Sequence, residues 1–232
     1  MKIQRFFVNK KIEPGVGFVI DDKDQTEQIR RVFRKKVGDT IGLLDNSGLG
    51  YEAKIVDFGK NVIACEVGDE KINTYIPKKE IWLCVSIIKK DKFEWVVEKA
   101  TELGVSHIVP VISERTEKTN LNIERLNKIA KEASEQSERG VLPTIYEPVE
   151  LSNCLGTLPE NKIVLEIGSN KEVSELEVKT GPLTVFIGPE GGWGEKDLKF
   201  FEDNKIEKVS LGEQVLRAET ASVAALSLLL LE

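Results

Sequence analysis

Arg217, Glu219 and Thr220 stand within four positions of one another, just ahead of an Ala-, Ser- and Leu-rich run, and Glu190 sits inside Gly188-Pro189-Glu190-Gly191-Gly192. A guanidinium, carboxylates and a hydroxyl at this spacing can stabilise developing negative charge, accept a proton and hold a polar ligand. Each set follows a strand-like stretch. Residues 183–187 are apolar with β-branched members and stop at the glycine loop, and residues 208–211 form a second such run that ends at Gly212. Three glycines in five positions allow positive φ and close approach of backbone to a ligand, while Pro189 fixes one φ and removes a donor. Ligands of α/β sheets bind outside the carboxyl ends of strands, so two such loops predict one pocket. It is not a phosphate cradle. Gly194 is followed by Glu195 and Lys196 with no hydroxyl behind the lysine, and Gly188, Gly191, Gly192 and Gly194 lack the G-x-G-x-x-G spacing.

The elements that position these loops alternate. Residues 81–88 predict a continuous buried strand, and a helix follows with Asp91 as cap, Glu94 as its boxed partner and Gly104 as its stop. Residues 107–112 predict a strand, 123–137 a helix, 144–146 a short strand and 163–167 another buried strand. Strands alternating with helices predict a parallel sheet covered on both faces. Upstream, residues 40–45, 51–58 and 62–67 read as three strands joined by turns at 46–48 and 59–61, an antiparallel meander. Residues 3–8 are strand-like, and residues 25–36 predict a helix with Ile29, Val32 and Phe33 on one face and Arg30, Arg31, Arg34 and Lys35 around the other. The polar stretch from 68 to 80, with Pro77, reads as the linker. We therefore expect a β-barrel over 1–70, a linker over 71–80 and an α/β domain over 81–232.

Composition narrows the function. The 232 residues carry a net charge of −6, which argues against indiscriminate coating of nucleic acid. The first 40 residues hold ten Lys or Arg against six Asp or Glu, a local +4 in an acidic chain, so a basic face is compatible with the total. Cys65, Cys84 and Cys154 lie far apart without C-x-x-C spacing, which supports neither a disulfide framework nor a zinc site. No apolar run spans a bilayer and the N-terminus lacks a signal-peptide pattern, so a cytoplasmic protein is expected. His107, the single histidine, begins a strand far from both loops and reads as a packing residue.

GPEGG followed by SLG-x-x-x-LR-x-ET resembles the SPOUT class of S-adenosylmethionine-dependent RNA methyltransferases. Within it, the chain is most similar to the bacterial family that methylates N3 of a uridine in 16S ribosomal RNA. The segments RFFV, VFRKKVGDTIGLLDNSGLGYEAKI, EWVVEKATELGVSHIVPVISERT and EASEQSERGVLPTI extend the likeness over nearly the whole chain. The resemblance implies an N-terminal PUA-like RNA-binding β-barrel, a C-terminal SPOUT domain with a deep trefoil knot, a homodimer, and 16S rRNA or the small ribosomal subunit as partner. It implies S-adenosyl-L-methionine as methyl donor, with no metal.

Carried onto this chain, the resemblance places the donor on Leu165, Glu166, Gly188, Pro189, Glu190, Gly191, Gly192, Leu211, Gly212, Leu216 and Thr220. The N3 proton of a uracil must leave and its charge then spreads over the ring carbonyls. Arg217 is the candidate for stabilising that charge, and Glu219 or Glu190 the candidate for accepting the proton or shaping the pocket. An alternative role for Glu219 is interaction with the helix N-terminus. Arg5, Arg30, Arg31, Arg34, Lys35, Arg115 and Arg139 are the candidate RNA contacts, with solvated surface or ion pairing as the alternative. The chain departs from the family at Trp193-Gly194, where Phe and a small hydroxyl residue are expected, at Ala218 in place of Thr, and at Gln28 in place of His. Two competing functions are another SPOUT RNA methyltransferase, acting on a ribose 2′-hydroxyl or on transfer RNA, and a non-enzymatic RNA-binding assembly factor.

Overall fold

A computed structural model describes residues 3–117, 119–176 and 181–231. It has a mixed α/β fold in two compact units, Met1–Ile76 with Ser134–Val141, and Pro77–Ala133 with Leu142–Glu232. The first unit holds β1 (Arg5–Phe7), β2 (Gly17–Ile20), β3 (Thr40–Leu44), β4 (Gly50–Phe58) and β5 (Ile63–Lys71) in the order β1-β3-β4-β5-β2. The expected meander β3-β4-β5 is antiparallel throughout, and β1 joins β3 in parallel. Period-two alternation explains the core: Tyr51, Ala53 and Ile55 of β4 and Ile63, Cys65 and Val67 of β5 point inward. The turn before β4 uses left-handed backbone at Asn46 (φ 64°) and Gly48 (φ 86°), as its composition predicts.

Three expectations change in this unit. The helix over 25–36 is instead α1 (Lys23–Glu27), capped by Asp22, which accepts from the Gln25 amide at 2.9 Å, followed by one wide π turn over Gln28–Val32. That turn rotates later residues off the α period, so Ile29 is fully buried while Val32 is 69% exposed. β2 carries too short a pattern to have been recognised. The stretch read as linker is partly strand, because β5 continues to Lys71, and the unit closes only with the returning residues 134–141. Within that segment the Glu135 carboxylate accepts from the Phe7 amide at 2.8 Å.

The second unit contains β6 (Ile81–Ser86), α2 (Lys90–Leu103), β7 (His107–Ile112), most of α3 (Ile123–Gln136), β8 (Thr144–Ile145), β9 (Val149–Glu150), β10 (Asn161–Leu165), β11 (Leu183–Ile187), α4 (Glu195–Asp203), β12 (Glu207–Val209) and α5 (Ala218–Leu230). The sheet is parallel with the order β12-β10-β11-β6-β7-β8, and β9 also pairs with β7. Both faces are buried, which is why its strands read as continuous apolar runs. On one face Leu83, Val85, Val185 and Ile187 pack with Phe93, Val97 and Leu226. On the other, Cys84, Val164 and Phe186 pack with Trp193 and Phe201. After β10 the chain returns to place β11 between β10 and β6, then passes outside β10 with β12. The carboxyl ends of β10, β11 and β12 are thereby neighbours, and the loops after them converge. The cap of α2 is Lys89 rather than Asp91; Asp91 lies in the first turn, and Glu94 binds Arg125 at 2.7 Å. Gly104 stops α2 as expected, with φ 107°.

Candidate functional site

The loops after β10, β11 and β12 line a cleft of about 250 Å³, just below the range of roughly 300–1,000 Å³ typical of small-molecule sites. Eight of the predicted residues line it: Leu165, Glu166, Gly188, Pro189, Gly192, Leu211, Gly212 and Leu216. Glu190, Gly191 and Thr220 are exposed and lie outside its lining. The sequence reading did not name Ile167, Ile187, Trp193, Leu198, Ser210, Gln214, Ala218 and Ala221 among the ligand contacts. Gly192 (φ 69°) and Gly212 (φ 100°) have left-handed backbone, and the space a Cβ would take at either is open. The walls are mostly aliphatic, with polar backbone between them.

Trp193 holds two strand ends together. Its indole N–H donates to the Leu165 carbonyl at 2.9 Å, tying the loop after β11 to the end of β10. Its ring lies on Gly188, where a Cβ would approach ring atoms to 3.2 Å, and meets Phe201 edge-on at 4.8 Å. Gly188 is therefore glycine because the indole covers it. A buried Trp whose N–H needs an acceptor was the sequence signal for this contact.

The turn after β7 grips the same loop. Arg115 donates to the Gly191 carbonyl, the Glu114 amide donates to Asp197 at 3.1 Å, and Asp197 also accepts from the Gly194 amide at 2.9 Å. Asp197, three residues after Gly194 at the start of α4, thus satisfies the N-cap amide from within the first turn.

Arg217 is exposed at the N-cap of α5, between cleft residues Leu216 and Ala218. Glu219, two residues on, is 7% exposed and its carboxylate lies 3.3 Å from Lys92 of α2. The structure thus leaves Arg217 exposed between two cleft residues, outside the lining itself, and directs Glu219 toward α2.

The other candidate RNA contacts fall in the first unit. Arg31 and Arg34 are exposed, and Lys35 is half-buried. Arg30 is half-buried over the Phe58 ring at 5.1 Å. Arg5 is engaged by Glu138 at 2.7 Å. Arg139 differs from expectation: it is 1% exposed, its Nε donates to the Val141 carbonyl, and burial brings its pKa down to about 10 against the opposing effect of Tyr75. A guanidinium enclosed in this way is a packing element and does not present itself to phosphate.

A parallel α/β sheet whose strand ends carry glycine loops around an apolar cleft defines an enzyme-type site for a small ligand. Comparison with known proteins makes the class specific. The RNA methyltransferase domain family matches residues 75–230, and this chain belongs to that family. The chain is 30% identical over 232 residues to the ribosomal RNA small subunit methyltransferase E of Rickettsia conorii, covering 98% of this chain and 95% of the relative. It is 28% identical to the Bacillus subtilis protein of the same name, covering 97% and 95%. The crystal structure of a ribosomal RNA small subunit methyltransferase E from Neisseria gonorrhoeae, bound to S-adenosyl methionine, superposes with a TM-score of 0.91 at 27% identity, covering 97% and 96%.

Proposed function

We propose that this protein transfers a methyl group from S-adenosylmethionine to N3 of a uridine in 16S ribosomal RNA. The observation that carries the reading is the cleft itself, walled by the loops after β10, β11 and β12, with Arg217 between its lining residues Leu216 and Ala218 in sequence. Its residues fit the donor. Leu165, Ile187, Leu211 and Leu216 offer apolar walls to a nucleoside, and the open backbone at Gly192 and Gly212 leaves room for its polar groups. Bound there, S-adenosylmethionine supplies an electrophilic methyl carbon on a sulfonium, which needs no metal activation.

The chain's own task is to prepare the base. Loss of the N3 proton spreads charge over the uracil carbonyls, and Arg217 is the guanidinium assigned to stabilise that charge. Of the two candidate carboxylates, Glu190 is exposed and Glu219 is buried against Lys92, so Glu190 is the proton acceptor in this scheme. Glu219, held by Lys92, fixes the first turn of α5 and with it Arg217. In-line placement of N3 supplies much of the acceleration.

The first unit is read as a PUA-like barrel in the 1–70 region that presents Arg30, Arg31, Arg34 and Lys35 to RNA. The likeness to whole-length relatives and the exposure of Arg31 and Arg34 support this. Arg115, at the turn gripping the donor loop, is a further contact to RNA phosphate. The second unit is read as a SPOUT domain with a trefoil knot, for which the return of β11 between β10 and β6 is the supporting feature. A homodimer is read from exposed Leu228 and Leu231 at the end of α5 and Trp95 on α2. The setting is cytoplasmic, where the ribosomal substrate is made. Titration calorimetry with S-adenosylmethionine tests the donor site: saturable binding is expected, and its absence from folded protein contradicts the reading.

A further inference from the structure

α4 begins without a cap of its own. Its N-cap residue, Gly194, has extended backbone (φ −80°, ψ 173°) and no side chain to accept from the first turn. A carboxylate from elsewhere does so: Glu114, in the turn after β7, accepts from the Lys196 amide at 2.9 Å. The same oxygen lies 2.1 Å from where a Cβ on Gly194 would stand. The exchange is mutual, because the Glu114 amide donates to Asp197, which is 5% exposed and also accepts from Gly194. Arg115, next in sequence, holds the Gly191 carbonyl. Two adjacent residues of one turn therefore grip the loop that walls the cleft, at its middle and at its exit into α4. Neither residue lines the cleft.

We propose that Glu114 is a positioning residue for the donor loop, supplying in trans the N-terminal cap that α4 lacks, so that donor affinity depends on a side chain outside the cleft. This rests on the reading of the cleft as the donor site. The physical basis is direct. A carboxylate at a helix N-terminus satisfies an otherwise orphaned amide and opposes the helix dipole favourably. The loop from Gly188 to Trp193 leads straight into that first turn, and Leu198 of α4 itself lines the cleft. Loosening the turn lowers the fraction of molecules with the wall in place, and apparent affinity falls by that fraction.

The geometry also predicts an inversion that no general loss of stability produces. Gly194 has backbone angles a serine adopts at an N-cap, so only the Glu114 side chain keeps serine out. Donor affinity is measured by calorimetry on the full-length wild type, Glu114→Ala, Glu114→Gly, Gly194→Ser and the Glu114→Gly/Gly194→Ser double variant, with Lys196 amide hydrogen exchange read in parallel. Glu114→Ala is expected to weaken donor binding about three- to tenfold, the scale of a lost cap, and to speed Lys196 exchange. Gly194→Ser is expected to weaken binding in the wild type, where the new side chain displaces Glu114. In Glu114→Gly, which also removes the Cβ lying 2.8 Å from the position of the new side chain, it is expected to strengthen binding relative to Glu114→Gly alone, because the serine caps α4 in the vacated place. Glu114→Ala with unchanged affinity and exchange overturns the proposal, as does Gly194→Ser acting alike in both backgrounds. A wild type that binds no donor instead overturns the donor reading, and the exchange rates then decide the cap by themselves.

Discussion

Trp193→Phe separates the bridge between strand ends from simple filling of the core. Phenylalanine keeps a ring over Gly188 but removes the N–H that donates to Leu165 at 2.9 Å and the fused five-membered ring beside it. The lost hydrogen bond is worth about 1 kcal/mol, because the Leu165 carbonyl faces a cleft that water enters and is not left dry. The indole is 8% exposed, so the missing carbon atoms leave space that closes only in part and cost about 1 kcal/mol more. The sum is about 2 kcal/mol, or a fall in Tm of about 4–8 °C for a chain of this size. Differential scanning calorimetry reads the shift, and donor titration at 25 °C is expected to show weakened binding because the loop after β11 is no longer tied to β10. A Tm within about 1 °C of wild type together with unchanged donor affinity refutes the bridging role of Trp193.

Two further predictions follow from the site and from the single histidine. Arg217→Ala is expected to slow single-turnover methylation by about a hundredfold or more with donor affinity retained, whereas Glu219→Gln slows it less and lowers Tm, since its carboxylate partners Lys92; equal effects of both variants on rate alone would return Glu219 to the chemistry. His107 stacks on Trp82 at 3.8 Å, and burial lowers its pKa from 6.5 against the raising effect of Glu80. The neutral ring is the form the fold prefers, so its contribution is present above the unfolded value and is lost as pH falls through the lowered folded pKa. Denaturant titrations are expected to show stability dropping below about pH 6.5, with a shallower drop in His107→Phe; parallel curves for the two proteins would remove the histidine from the pH response.

Much of this organisation was legible locally. The apolar run at 183–187 is β11 to the residue, Gly104 ends α2, and the two glycine loops do meet in one cleft because β11 and β12 flank β10. The π turn after α1 was not legible, since an i→i+5 turn leaves the same amphipathic pattern as an α-helix and only packing around Ile29 selects it. Arg139 carried no sign of burial, because charge in a sequence reads as surface unless its enclosing partners are known. The grip of Glu114 and Arg115 on residues 191–197 joins segments about eighty positions apart, which no spacing rule reaches. Glu219 was placed correctly at the start of α5, yet which way its carboxylate points depends on Lys92 across the α2–α5 contact.

The central claim is tested most directly by incubating the protein with labelled S-adenosylmethionine and small ribosomal subunits, or bare 16S RNA, that lack the modification, followed by nucleoside analysis. The account predicts labelled N3-methyluridine. Label in a ribose-methylated or other nucleoside contradicts the assigned target, and no transfer from a donor that binds contradicts the assignment of the protein as an enzyme.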